Sequence, residues 1–296
     1  MNGRGSQRIR GTMSRRMGGM TSMMGVRLAL VAALSMVAVE PAVGQPADTT
    51  TISREPLFTA SDAWIAAGFV AGTIAMYPVD RRLARSIQRD PLQDNSDLER
   101  TATFFRKMGT PFSMYIGGGM YAIGRLARIE RMADLGLHGT EALLIARHTN
   151  DLVKWAAGRA RPQLDIEDER NFRLGRGYGA DREEYRSFPS GHAAMGFAAA
   201  AAVTAETAKW WPGSQWYIGP AMFGGATLIG VSRMYNNRHW ASDVVMGAAI
   251  GTFTGLKVVR YHHSHPGNRI DRWLLAATPV PTGDGGLALV WSVNVR

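Results

Sequence analysis

The sequence predicts an all-α protein, a six-helix core with a short β-hairpin-like extension at its C-terminal end. Six apolar segments rich in alanine and glycine recur between residues 60 and 261. Gly247, Gly251 and Gly255 are spaced four apart, which leaves one helix face bare enough for a neighbouring helix to approach closely. Beyond residue 271 the periodicity changes, and Leu287, Leu289, Trp291, Val293 and Val295 alternate with other residues as in a strand.

The elements follow in order. Residues 1–44 read as a secretory signal. An arginine-rich start precedes an apolar stretch from Leu28 to Val39, and the small residues Ala42-Val43-Gly44 place cleavage before Gln45. An uncleaved anchor helix is the rival reading, disfavoured because the apolar stretch is short for a span. Residues 45–59 are polar and read as a linker. The helical domain covers 60–271, with helices expected over 60–77, 104–126, 140–160, 193–209, 216–231 and 242–261. Residues 81–100 are charged and contain Pro91, as in a loop or an exposed helix. Residues 163–187 form a long charged, glycine-containing loop expected to shape the mouth of a site. Segments 272–281 and 286–296, joined by Thr282-Gly283-Asp284-Gly285, read as a hairpin docked on the helices.

Composition narrows the function classes. The net charge is +10, but residues 1–44 carry six arginines and one glutamate, a net +5, which leaves +5 for the rest. No basic stripe is interleaved with aromatic residues, so nucleic-acid binding is set aside. A modest positive charge suits an anionic substrate or an anionic lipid surface. There is no cysteine, which excludes disulfides, thiolate catalysis and thiolate metal sites. The uncharged runs are short for membrane spans and mean hydropathy is −0.12, whereas Trp210, Trp211, Trp216 and Tyr217 suit an interfacial belt. A periplasmic enzyme at or near the membrane surface is the expectation.

Three segments supply phosphoryl-transfer chemistry. In Lys154-x6-Arg161-Pro162 the two cations are two helical turns apart and share a face. Arg161 can give two parallel N–H donors to phosphate, while Lys154 acts as a point charge. In Pro189-Ser190-Gly191-His192, Ser190 suits a helix cap, Gly191 admits close backbone approach, and the helix start suits an anion. His192, in the first turn, is the candidate general acid for the leaving oxygen. In Ser232-Arg233-x5-His239-x3-Asp243, Arg233 is a third phosphate cation. Asp243 sits one turn from His239, where a carboxylate accepting from one ring nitrogen would leave the other free to attack. His239 is the candidate nucleophile, giving a phosphohistidine that water hydrolyses. No metal or other cofactor is required.

In order and spacing these segments resemble the type 2 phosphatidic acid phosphatase and vanadium haloperoxidase superfamily, over about residues 143–256. Tyr185-Arg186-Ser187-Phe188 and Trp240-Ala241-Ser242-Asp243-Val244 also look like bacterial members. The resemblance implies the six-helix fold of that family and metal-free phosphomonoesterase or diphosphatase activity. The partner it implies is a phosphorylated, lipid-linked substrate. Two alternatives stand beside this: a vanadate-dependent haloperoxidase, with His239 as vanadate ligand, and an inactive phosphate- or lipid-binding module. His262, His263 and His265, near a helix end, are expected to cap carbonyls or face solvent rather than bind metal, since spaced ligands from other elements are not evident.

Overall fold

The computed structural model describes residues 56–178, 183–275, 277–282 and 287–291. The expected signal, most of the linker and the hairpin's turn lie outside the described residues. Helix α1, Ala60–Met76, begins at a reciprocal cap in which the Thr59 backbone N–H donates to Asp62 (2.6 Å) and Asp62 N–H donates back to the Thr59 carbonyl. A tight turn over Tyr77–Val79 leads to α2, Asp80–Ile87, and then to a single turn, α3, Asp90–Gln93. The charged stretch 81–100 is thus largely helical. Helix α4, Ser96–Lys107, is capped by Asn95, whose side chain accepts from the Asp97 and Leu98 N–H groups.

The helix expected over 104–126 is two helices. The chain breaks at Met108–Phe112, where Thr110 is extended and Pro111 supplies no N–H, and α5 resumes over Ser113–Ala127. Arg128, at φ 59°, reverses the chain into α6, Glu130–Ala157. That helix starts ten residues before the expected position 140. Its first turns are charged on one side only, and Met132, Ala133, Leu135 and Leu137 are buried. Gly158 ends α6 in the left-handed region at φ 55°, and a Cβ there would collide with the Arg173 carbonyl. Helices α7, Gly191–Trp210, α8, Gln215–Tyr235, and α9, Ala241–Ser264, follow close to expectation. The C-terminal segment begins as a short helix, α10, Arg269–Leu274, where a strand was expected from 272. Strands β1, Ala277–Pro281, and β2, Leu287–Trp291, then pair antiparallel with Ala277 opposite Trp291.

The core lies where α7 meets α6 and α9. Ala142, Leu143 and Ala146 pack on Met195, Ala198 and Ala202 and on Val258 and Val259. The glycine ladder of α9 faces α7. A Cβ at Gly247, Gly251 or Gly255 would collide with the carbonyl oxygens of Ser190, Ala194 and Ala198. Alanines on α7 and glycines on α9 therefore bring two backbones into contact, and this fixes the start of α7 against the start of α9. Gly117 packs on Thr140 of α6, whereas Gly118 and Gly119 meet nothing.

The three C-terminal histidines differ from expectation. His262 is 3% exposed and lies between Asp271 (2.6 Å) and Glu141 (2.7 Å). His263 bonds Glu206 (2.6 Å). Only His265 meets a helix-end carbonyl, that of Tyr261.

Gly251→Val should lower stability by about 1–3 kcal/mol, the usual range for overpacking. Unfolding in denaturant would measure it. A variant as stable as the parent would show that the α7–α9 contact has slack.

Candidate active site

Five chain segments end at the same level of the bundle: the end of α6, the turn after it, the start of α7, the end of α8 and the start of α9. They enclose a cavity of about 280 Å³ lined by Lys154, Arg161, Gly191, His192, Arg233 and His239, together with Asn150, Arg186 and others. Of the residues expected at the site, Ser190 and Asp243 stand behind the cavity wall, both fully buried. Ser190 caps α7, its side chain accepting from the Ala193 N–H at 3.5 Å, and its own N–H donates to the Asp243 carbonyl. A Cβ on Gly191 would press on the Asn150 amide at 3.3 Å.

His239 is 4% exposed. Its Nδ1 lies 2.7 Å from the Ser187 carbonyl. A carbonyl only accepts, so Nδ1 carries the proton and the neutral ring leaves Nε2 with a free lone pair. This corrects the expected pairing with Asp243, whose carboxylate is 3.7 Å from Nδ1, beyond hydrogen-bond reach. Asp243 instead accepts from the Ser187 hydroxyl (2.5 Å), the Trp240 N–H (2.8 Å) and Arg159 (2.6 Å). It acts on His239 through the segments it fixes on either side of the ring.

Arg159 was not singled out in the sequence. It is buried, donating to Asp243, Ser242 and Asp80 and, from two nitrogens, to the Glu169 carbonyl. The rings of Tyr77, Phe172 and Trp240 surround its guanidinium at 5.0–5.3 Å. Asp80, the first residue of α2, also accepts from the Ser242 N–H and hydroxyl. The only sequence signal for Arg159 was its place two residues before Arg161. Asn150, one turn before Lys154 on α6, also went unnoticed. The loop 163–187 does reach the cavity, as expected, through Glu183 and Arg186.

The cavity is strongly cationic. Lys154 Nζ donates to the Arg186 carbonyl at 2.6 Å, yet burial, with Arg161 nearby, lowers its pKa to about 7. Burial and the charges of Arg233 and Lys154 push His192 down to about 3. Burial likewise holds His239 well below the ordinary histidine value. Arg233 is lowered to about 10 by burial and Arg161. The Nε atoms of Arg161 and Arg233 are buried without a hydrogen-bond partner. Lys154, Arg161, Arg186 and Arg233 on one cavity outnumber the carboxylates of Asp151 and Glu183, and that balance suits an anion.

Residues 137–266 match the family model described as the PAP2 superfamily. Lipid A 1-phosphatase of Porphyromonas gingivalis is 46% identical over 69 residues, 23% of this chain and only 15% of that protein. The crystal structure of a transmembrane PAP2-type phosphatidylglycerolphosphate phosphatase from Bacillus subtilis shares the fold. Its TM-score is 0.52 at 19% identity, over 71% of this chain and 100% of that one. Aquifex aeolicus LpxE aligns at a TM-score of 0.41 and 25% identity, over 62% of this chain and 96% of that one.

A bound dianion raises the pKa of every cation around it, so binding takes up the proton that Lys154 loses near pH 7 in the free protein. Sulfate, doubly charged throughout, should bind more weakly as pH rises from 7 to 9, by up to about tenfold per unit. Titration calorimetry would show it, and Lys154→Gln should flatten the slope. An unchanged slope would place the titrating group elsewhere.

Proposed function

We propose that this protein is a phosphoric ester hydrolase of the cell envelope. It removes phosphate from a lipid-linked mono- or diphosphate ester, through a phosphohistidine and without a metal. The observation that carries the reading is the convergence of Lys154, Arg161, Arg233, His192 and His239 on one cavity.

The ester's phosphate oxygens take the two guanidinium groups and Lys154, which neutralise charge as it spreads in the transition state. The Nε2 lone pair of His239 forms a bond to phosphorus while the bond to the leaving oxygen breaks. His192 gives its proton to that oxygen. In the free protein His192 is neutral, and the incoming anion raises its pKa, so the acid is charged by substrate binding itself. Water then attacks the phosphohistidine, His192 takes its proton, the P–N bond breaks, and His239 is restored.

A lipid substrate is supported by a second cavity, also about 280 Å³, lined by apolar groups including Phe104, Met108, Met120, Leu143, Val203 and Ile229. The two cavities are neighbours: a Cβ on Gly109 would clash with Ile229, which lines the apolar one, and touch His192, which lines the cationic one. An acyl or prenyl chain fits the apolar side while the phosphate occupies the cationic side. Among the described residues two helical stretches, 60–87 and 241–264, are long and apolar enough to cross a membrane. More than half of the second is buried inside the protein, whereas the first is largely exposed. α1 presents Trp64, Ile65, Val70 and Ile74 outward, which supports contact with lipid at the membrane. The signal-like pattern of residues 1–44 in the sequence supports an envelope location.

The test is phosphate release by the purified protein in detergent with EDTA present, on a lipid phosphate beside a small soluble ester. Turnover should persist in EDTA and favour the lipid. A strict metal requirement, or no turnover from folded protein, would overturn the mechanism. Bromide oxidation dependent on vanadate and peroxide would replace it with the haloperoxidase reading. His239→Ala should cut turnover by about a thousandfold or more and remove the phosphoenzyme trapped by acid quench. Residual phosphoenzyme would move the nucleophile elsewhere. His192→Ala should slow poor leaving groups more than activated ones, and an equal loss on both would remove it from the acid role.

A further inference from the structure

We propose that His138, His262 and Asp271 form a binding site for a divalent transition metal ion of the zinc class. This site is independent of the phosphate pocket. His138 and Lys154 stand sixteen residues apart on α6, about 24 Å along the helix axis.

The three residues come from α6, α9 and α10. His138 and His262 are 4% and 3% exposed. Their rings stack at 4.0 Å with planes 25° apart, so His138 Nε2 and His262 Nδ1 face the same Asp271 oxygen. The separations are 3.7 and 2.6 Å, and the three donor atoms lie within 4.8 Å of one another. Donor atoms around a tetrahedral zinc ion with bonds of 2.0–2.1 Å stand about 3.3 Å apart, so a small adjustment completes the site. His138 Nε2 is a buried polar atom with no hydrogen-bond partner, and at 3.7 Å Asp271 is too far to serve. A metal ion would satisfy it.

The opposite ring nitrogens are already arranged as metal-binding histidines require. Glu206 lies 2.5 Å from His138 Nδ1 and Glu141 lies 2.7 Å from His262 Nε2. Each carboxylate takes the remaining N–H, fixes the tautomer and makes the ligating nitrogen more basic. Two imidazoles and a carboxylate are the donor set of zinc and its neighbours rather than of calcium or magnesium. The alternative triad of His138, His263 and Glu206 would spend Glu206 as a ligand and leave Nε2 of His138 unanswered. Sequence alone gives no metal site at His262 and His263 because, Asp271 apart, their partners lie 57 to 124 positions away, on helices whose packing the sequence does not display. An ion here would tie α10, the root of the β-strands, to the bundle, where the Tyr121 hydroxyl already donates to the Leu274 carbonyl at 2.9 Å.

The probe is Co²⁺, with Zn²⁺ in competition, on the full chain without an affinity tag. The parent should bind one equivalent with visible d–d absorption. Asp271→Asn should weaken binding at least tenfold, while His265→Gln should not change it. Because the chain has no cysteine, Asp271→Cys should introduce a thiolate-to-cobalt charge-transfer band that places the ion at this position. Far-UV circular dichroism confirms that each variant is folded. EDTA should lower the melting temperature yet leave phosphate release at 25 °C unchanged, which separates this site from the catalytic reading. Less than a tenth of an equivalent bound by the parent would overturn the proposal. So would unchanged binding by Asp271→Asn, or loss in His263→Gln with retention in Asp271→Asn. The cluster would then be a hydrogen-bonded histidine–carboxylate network only.

Discussion

Everything at the phosphate end of the bundle rests on one buried guanidinium. Arg159 gives its N–H groups to Asp243, Asp80, Ser242 and the Glu169 carbonyl, and three aromatic rings shield it from water. Burying a charge is expensive unless its donors are all answered, and here they are. The partners come from α2, the loop after α6 and α9, which no shared hydrophobic seam would align so closely. Asp243, held by Arg159, orders Trp240 and Ser187. Ser187 in turn gives the carbonyl that sets the proton on His239. The ring's orientation is thus inherited from an ion pair that never meets the cavity.

The second organising constraint is the repulsion among Lys154, Arg161 and Arg233. The fold brings them together with one carboxylate in reach, Glu183 at 3.4 Å from Arg161, and the start of α7 brings the positive end of a helix dipole to the same cavity. Such a cavity is unfavourable alone and favourable with an anion inside. The α7–α9 glycine ladder supplies the rigidity that keeps like charges from drifting apart, because two backbones in contact leave no side chains to repack.

Much of this was legible in the sequence because the chemistry gathers at helix ends, although α6 stops at Ala157, so Arg161 reaches the cavity from the turn beyond Gly158 and not from a helix face shared with Lys154. Lys154 and Arg161, Ser190 to His192, and Arg233 with His239 each sit at a helix end, and a helix end is announced locally by a cap, a glycine or a proline. The glycines at 247, 251 and 255 were legible for the same reason. What escaped depended on contacts between distant segments. Arg159 looks like any other arginine until Asp80 and Asp243 are brought to it. The break at Pro111 was missed because apolar residues continue on both sides. The first turns of α6 were missed because charged residues masked a buried face. His262 was read as a surface residue because Glu141 and His138 lie more than a hundred positions away.

Two spaces of similar size and opposite character lie side by side, for the point where a Cβ on Gly109 would sit is in contact distance of both Ile229, which lines the apolar one, and His192, which lines the cationic one. Spaces this close work as a ruler. A molecule that reaches both spaces must change from charged to greasy within a few bonds, so the fold measures the distance from head to tail and not the identity of either. Hydrophilic linkers between the two parts would be stranded on the apolar side, and discrimination would come from where polarity ends along the substrate.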